Sequence, residues 1–275
     1  METFRKANLR VPFGLPSPPS SRLLPESRSM NSLRRMLDVL GLFSAEHPVL
    51  DVDAICTLLG YPPASAYRYI RELSDFGLLV RLPRGYALGP RIIELDRVMV
   101  EHDPLLVASR DLVDRLVEET GLTVLISELY DDKVINIFQR SSDPRQLLKF
   151  GRGRPMALFR SATSRVILAY LLPRQLRRVF DEHAHDSDLL HVGQTWKEFS
   201  RAMLEIRKQG WCRSSGEVNL NMTGIAAPIF DEKNRILGSI TLMGSTERYD
   251  AFNPDFVQKR VTDAARTVTQ RIAQP

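Results

Sequence analysis

Between Met30 and Leu88 three short apolar-periodic segments are broken at Gly41, Gly60 and Gly77, and two apolar runs then flank Pro83-Arg84-Gly85. In the first segment Leu33, Met36, Leu37 and Leu40 follow i, i+3, i+4, i+7 spacing and Phe43 extends the face, until Gly41 and His47-Pro48 break it. The second segment runs from Asp51, an N-cap residue type, to Leu59, with Val52, Ile55, Leu58 and Leu59 inward and Gly60 as its stop. The third runs from Pro63 to Phe76 and ends at Gly77. Leu78–Leu88 then reads as a β-hairpin turning at Pro83-Arg84-Gly85. Three short helices and a hairpin are the layout of a winged helix-turn-helix.

The third helix divides its residues cleanly. At about 100° per residue, Ala66, Tyr69, Ile70, Leu73 and Phe76 share one face, and Tyr67, Arg68, Arg71 and Asp75 share the other. A helix of this size fits the major groove of a DNA duplex with its N-terminal half against base edges. On that reading Pro63 opens the reading helix and Ser65 donates to a phosphate or base. Tyr67 offers its hydroxyl to a phosphate, while Arg68 and Arg71 reach guanine edges or phosphates. Arg81 and Arg84 ride on the wing, against backbone or minor groove. The competing reading is a solvated face of an ordinary surface helix; the order of elements, not the two arginines, favours DNA.

Charge does not make this choice. The chain carries a net charge of +5, yet residues 30–100 hold eight basic and eight acidic side chains. Residues 62–91 carry +3, and the strongest basic stretch, 140–178, carries +9. That stretch suits an anionic small molecule or a surface paired with acidic segments elsewhere.

The remaining chain reads as a second, larger α+β domain. Residues 90–102 resume helical spacing as a linker helix, and Asp103-Pro104 starts another helix that runs to Gly121. Strands are expected at Thr123–Leu129, Lys133–Gln139 and Gln146–Phe150, with Tyr130-Asp131-Asp132 as a turn. Helices follow at Ser161–Leu172, after Pro173, and at about Thr195–Gln209. Further strands at Trp211–Glu217, Ile225–Phe230 and Ile236–Met243 precede a closing helix from Pro254 to Ile272. The expected division is a disordered tail at 1–29, a winged helix-turn-helix at 30–89, the linker at 90–102 and an effector-binding domain at 103–275. Met30 is either the initiator or the end of a disordered, proline-rich arm.

Other chemistries find little support. No apolar run approaches the length of a membrane span or signal peptide, which points to the cytoplasm. Cys56 and Cys212 are the only cysteines, too few for a disulfide framework or thiolate zinc site. His183, His185 and His191, among Asp181, Glu182 and Asp186, match no strong ligand spacing. Gly151-Arg152-Gly153-Arg154-Pro155 lacks phosphate-loop spacing, and no nucleophile and base stand close together. No enzyme, metal or cofactor is therefore expected.

Gly60-Tyr61-Pro62-Pro63-Ala64-Ser65-Ala66-Tyr67-Arg68 resembles the G-L-P-K-S-T-V-Y-R recognition segment of the IclR-type (isocitrate lyase regulator-type) transcriptional regulators. Gly85–Arg91 resembles their Y-x-L-G-P-R at the end of the wing, and Gly210-Trp211 with Gly224–Ile229 resembles their G-Y…C-I-A-A-P-V block. The resemblance covers about residues 30–273. It implies a winged helix, a linker helix and a GAF-like effector domain with a mixed sheet. It also implies homodimers or dimers of dimers on palindromic double-stranded DNA operators, controlled by a small organic acid.

The resemblance further implies an effector pocket at a helix start, where backbone N–H groups favour an anion. Here that start is Ser161-Ala162-Thr163, with Ser161 as N-cap. Elsewhere the pocket departs from the pattern. Ser214 and Ser215 replace an acidic pair, Gly224 replaces a cysteine, and Thr241 and Met243 replace two serines. Less acid, an added methionine and an empty position at Gly224 suit a ligand with a larger apolar part, such as an aromatic or branched acid. Arg152, Arg154 and Arg160 lie nearest this helix start and are candidates to meet its carboxylate.

Overall fold

The computed structural model describes residues 32–130, 133–143 and 151–274. The 1–29 tail, the Asp131-Asp132 turn and the expected strand at Gln146–Phe150 fall largely or wholly outside those residues. The chain divides into two compact units, 1–99 and 100–275.

The first unit contains α1 (Ser32–Leu40), α2 (Val52–Leu59) and α3 (Pro63–Asp75), then the hairpin β1 (Leu79–Leu82) and β2 (Gly85–Leu88). Local chemistry sets the boundaries. The Asp51 carboxylate accepts from the Ala54 N–H at 2.7 Å, and Gly60 closes α2 in the left-handed region at φ 65°. Pro63 occupies the first turn of α3, where its missing N–H costs nothing. Val39, Ile55, Ala66, Tyr69, Ile70, Leu73 and Leu79 form the core.

Two expectations about this core need correction. Leu33 is 61% exposed and Leu37 is also exposed, whereas Val39 is fully buried. The first helix packs through Met36, Val39 and Leu40, with Phe43 following in the loop, and leaves the Leu33–Leu37 edge of its apolar stripe exposed. Phe76 is 64% exposed instead of inward: it is the C-cap, at the edge of the buried arc, and the Arg91 guanidinium lies 6.0 Å from its ring.

The hairpin is built on to the helices. Leu82 pairs with Gly85, so Pro83-Arg84 is a two-residue turn. The Leu50 N–H donates to the Tyr86 carbonyl at 3.0 Å and the Tyr86 N–H to the Leu50 carbonyl at 2.8 Å. Gly85 lies at φ 144°, and a Cβ there would stand 2.5 Å from the Leu50 carbonyl oxygen. Only glycine permits that approach. Helix α4 (Arg91–His102) follows, with none of its residues buried.

The second unit is α+β. Helix α5 (Pro104–Thr120) is capped by the Asp103 carboxylate and stopped by Gly121 at φ 59°. The sheet comprises β3 (Thr123–Tyr130), β4 (Lys133–Arg140), β5 (Cys212–Ser215), β6 (Met222–Phe230) and β7 (Ile236–Ser245), in spatial order β4-β3-β7-β6-β5. Where the resemblance implies a mixed sheet, these five strands pair antiparallel throughout.

Both sheet faces are covered, so the inner strands read as continuous apolar runs instead of alternating. Val124, Ile126, Ile225, Ala227, Ile229, Ile240 and Leu242 face α5 and the closing helix α10 (Pro254–Ala273). The opposite parity faces α6 (Ala162–Leu168), backed by α7 (Pro173–Glu182) and α8 (Trp196–Gln209). Helix α6 ends four residues earlier than the Ser161–Leu172 expectation. Tyr170 and Leu171 tighten into i→i+3 bonds to Ile167 and Leu168, and Pro173 disfavours helical backbone at Leu172. A 3-10 turn at Ser187–His191 and α9 (Thr246–Asp250), capped by Ser245, were not expected.

Candidate functional site

The face that the sequence nominates for DNA rests on α3 and the hairpin. Tyr67 is 58% exposed and shares a cleft with Asp51, Arg81, Pro83 and Arg84. The fold thus brings Tyr67 and both wing arginines together. Arg71 is exposed and pairs loosely with Asp75, 3.6 Å away, one turn along the helix. Such a pair between solvated groups gives way to a phosphate or base at little cost. Pro63 is exposed and Ser65 half-buried at the helix start. Arg68 turns to the other side: its guanidinium lies 5.2 Å from the Tyr69 ring and borders a groove with Leu33, Leu37 and Phe76. The outward set therefore divides, with Tyr67 toward the wing and Arg68 toward α1.

In the second unit a small cavity of about 40 Å³ lies between α6 and the sheet. Ser161, Ala162, Thr163, Ser214, Gly224, Thr241 and Met243 line it, together with Leu125, Met156, Val218, Asn219, Met222 and Thr223. Strand alternation explains the grouping: Ser214 pairs with Gly224, Gly224 with Met243, and Leu125 with Thr241, all pointing to the α6 face. Thr223, of the opposite parity, also borders the cavity, whereas its cross-strand partner Ser215 does not. The Ser215 hydroxyl lies 2.7 Å from that of Thr223. Leu125 and Met222 carried a usable parity signal in the sequence. Met156, Val218 and Asn219 sit on loops and carried none.

The polar groups of the cavity are neutral. The Ser161 hydroxyl accepts from the Ser164 N–H at 3.1 Å, so Ser161 is the N-cap. The Ala162 N–H donates to the Ser214 hydroxyl at 3.2 Å, and the Thr163 and Thr241 hydroxyls meet at 2.9 Å. No charged side chain is among the lining residues that the structure describes. Gly224 leaves less room than its lack of side chain suggests, because Met243 Cβ and Thr241 Cγ2 stand 3.6 Å from where a Cβ would be. The cavity is well below the ~150 Å³ that admits a benzene ring. An aromatic or branched ligand therefore requires methionine side chains or a wall to move.

Two of the three nearby arginines, Arg152 and Arg160, are engaged elsewhere. Arg160 Nε donates to Asp188 at 2.7 Å and its Nη1 to the Glu217 carbonyl at 3.2 Å. Arg152 donates to the Ile137 carbonyl, and Arg154 is exposed. A cluster not foreseen from sequence joins Arg165, Glu217 and His191. The buried Arg165 guanidinium grips the Glu217 carboxylate with both terminal nitrogens, and His191 Nδ1 lies 3.3 Å from the same carboxylate. Cys212 is buried, and burial pushes its thiol up to about 11, far from a reactive thiolate. Among the described residues no three His, Cys, Asp or Glu side chains gather as a metal-binding group, and no helix is long and apolar enough to cross a membrane.

Comparison with known proteins matches both units. Residues 32–83 match the IclR helix-turn-helix domain, and residues 98–270 match the family described as bacterial transcriptional regulator IclR C-terminal. The chain is 24% identical over 250 residues to the HTH-type transcriptional regulator RhmR of Escherichia coli, covering 89% of this chain and 94% of the relative. It is 23% identical over 217 residues to the Pca regulon regulatory protein of Pseudomonas putida, covering 78% and 74%. An IclR transcriptional regulator from Silicibacter sp. shares the fold with a TM-score of 0.74 at 24% identity, covering 89% of this chain and 97% of that one. One from Alicyclobacillus acidocaldarius gives 0.70 at 22% identity, covering 88% and 98%. A reading helix with a basic hairpin, and a separate domain matching the family's C-terminal part, lead to one assignment: the chain belongs to the IclR family of bacterial transcriptional regulators.

Proposed function

We propose that this regulator acts in the cytoplasm as a homodimer or dimer of dimers on a palindromic operator, and that a small carboxylated metabolite binding beside α6 changes its affinity for that operator. One reading helix per chain suits two-fold symmetric DNA, since two heads double the contacts. The domain division proposed is a reader at 30–89, a linker at 90–102 and an effector domain at 103–275. Pro63, Ser65, Tyr67, Arg68, Arg71, Arg81 and Arg84 are the proposed DNA-contacting residues.

The observation that carries the effector reading is the cavity at the start of α6, lined by seven residues whose sequence positions nominate them. Its hydroxyls are hydrogen-bond donors suited to a carboxylate, and the first-turn Ala162 N–H, now bonded to the Ser214 hydroxyl, becomes another where a ligand displaces that hydroxyl. The described lining is uncharged, which favours a second ligand class, neutral polar molecules. A thermal-shift screen of organic acids and neutral polyols separates the two, with the best hit repeated in an operator gel shift. Stabilisation by an acid that also shifts operator binding supports the proposal. A hit among the polyols alone overturns the carboxylate, and no hit that alters DNA binding overturns the effector role.

A further inference from the structure

The walls of the α6 cavity are not equally fixed. Leu125, Thr241 and Gly224 belong to the inner strands, and every residue of α6 is buried. Opening any of these walls disrupts the core. Two loops supply further lining: Met156, whose N–H is tied to the Val134 carbonyl of β4 at 2.7 Å, and Val218 with Asn219 in the loop between β5 and β6. That loop is held by few backbone bonds: Gly216 N–H to the Met222 carbonyl at 2.9 Å, Met222 N–H to the Asn219 carbonyl at 3.0 Å, and Thr246 N–H to the Asn221 carbonyl at 2.9 Å. At its tip Leu220 is 89% exposed.

Glu217 stands immediately before the two wall residues, and three side chains converge on it. Arg165 Nη1 donates to the Glu217 carboxylate at 3.1 Å and Nη2 to its other oxygen, while Arg165 Nε is fixed by the Phe159 carbonyl at 2.6 Å. Arg160 donates to the Glu217 backbone carbonyl and is itself braced by Asp188. His191 approaches the carboxylate from the 187–191 turn. The Arg165 side chain is 7% exposed and that of Glu217 23%. A buried ion pair is a poor source of net stability, because desolvation offsets most of the attraction. A two-pronged arginine–carboxylate contact does fix orientation. Arg165 lies two residues beyond Thr163 on α6, so the contact ties the loop wall to the helix that forms a fixed one.

We propose that Glu217 is a positioning residue that holds the loop Gly216–Asn221 closed over the cavity, and that its release from Arg165 is the step that admits a ligand larger than the closed space. The ligand part rests on reading the cavity as the effector site; the closure itself is testable with no ligand present. Hydrogen–deuterium exchange of the full-length protein is compared between wild type, Glu217→Gln and Glu217→Asp. The expected result is exchange about tenfold faster or more at residues 216–222 in Glu217→Gln, little change in α5 or α10, and partial recovery in Glu217→Asp. Unchanged loop exchange overturns the proposal. So does an increase spread evenly through the sheet, or a Glu217→Asp variant as open as Glu217→Gln. If Glu217→Gln fails to fold, Arg165→Lys, which keeps charge but loses the two-pronged grip, must open the same loop for the proposal to stand.

Discussion

Thr163 on the first turn of α6 and Thr241 in the central strand β7 join hydroxyl to hydroxyl at 2.9 Å, with both residues buried. Both residues line the cavity, and the bond joins α6 to the sheet there. Replacing Thr241 by valine keeps the shape but strands the Thr163 hydroxyl. The expected cost is about 1–3 kcal/mol of stability in urea unfolding. Adding Thr163→Val recovers part of that loss, because replacing both partners of a buried hydrogen bond with apolar groups is nearly neutral. A double variant weaker than the sum of the singles refutes the pairing.

The reading face makes separable predictions for Arg71 and Arg84. Arg71→Ala is expected to lower operator affinity by about 1–3 kcal/mol and to relax discrimination between operator variants. Arg84→Ala, at the wing turn, is expected to weaken all sequences alike and reduce the slope of log K against log salt by about 1. Fluorescence anisotropy across a salt series measures both. Unchanged binding in Arg71→Ala removes Arg71 from the base-reading set, and unchanged binding in both Arg68→Ala and Arg71→Ala removes α3 as the base reader.

Gly85→Ala tests how the wing is attached. The added methyl meets the Leu50 carbonyl in a backbone region that strains any L side chain. The expected loss is about 1–3 kcal/mol of reader-domain stability, read as a lower unfolding midpoint, with weakened DNA binding. Wild-type stability in this variant means the Leu50–Tyr86 pairing is dispensable.

Acid stability has a traceable contributor. Hydrogen bonding from Arg271, assisted by Arg115, holds the Asp111 carboxyl down at about 2 from an ordinary 3.8. Its folded value lies below the unfolded one, so the contribution is complete above about pH 4 and is lost as pH falls toward 2. Asp111 and Arg271 are both more than a third exposed, so solvent screening limits the effect to below about 1 kcal/mol. Asp111→Asn should be less stable than wild type at pH 6 and nearly equal to it at pH 2. A difference that does not shrink with acid rules the pair out.

Much of this was legible in the sequence wherever the signal was local. Asp51, Gly60, Pro63 and Gly77 mark helix ends by their own backbone chemistry, and period-2 spacing groups Thr241 with Met243. The open Leu33–Leu37 edge was not legible, since an apolar stripe does not say how much of itself its own domain covers. Nor were Val218 and Asn219, which reach the cavity from an aperiodic loop. The Arg165–Glu217 contact joins residues 52 positions apart and depends on how β5 is laid beside α6.

The two hydrogen bonds between Leu50 and Tyr86 bear on specificity. They tie the wing to the residue just before the α2 cap, so the spacing between the wing tip and the reading helix is preset before DNA arrives. A duplex whose groove dimensions differ from that spacing must itself bend or twist to satisfy both. If α3 and the wing both contact DNA as proposed, operators built from easily deformed base steps gain affinity at positions that no side chain touches.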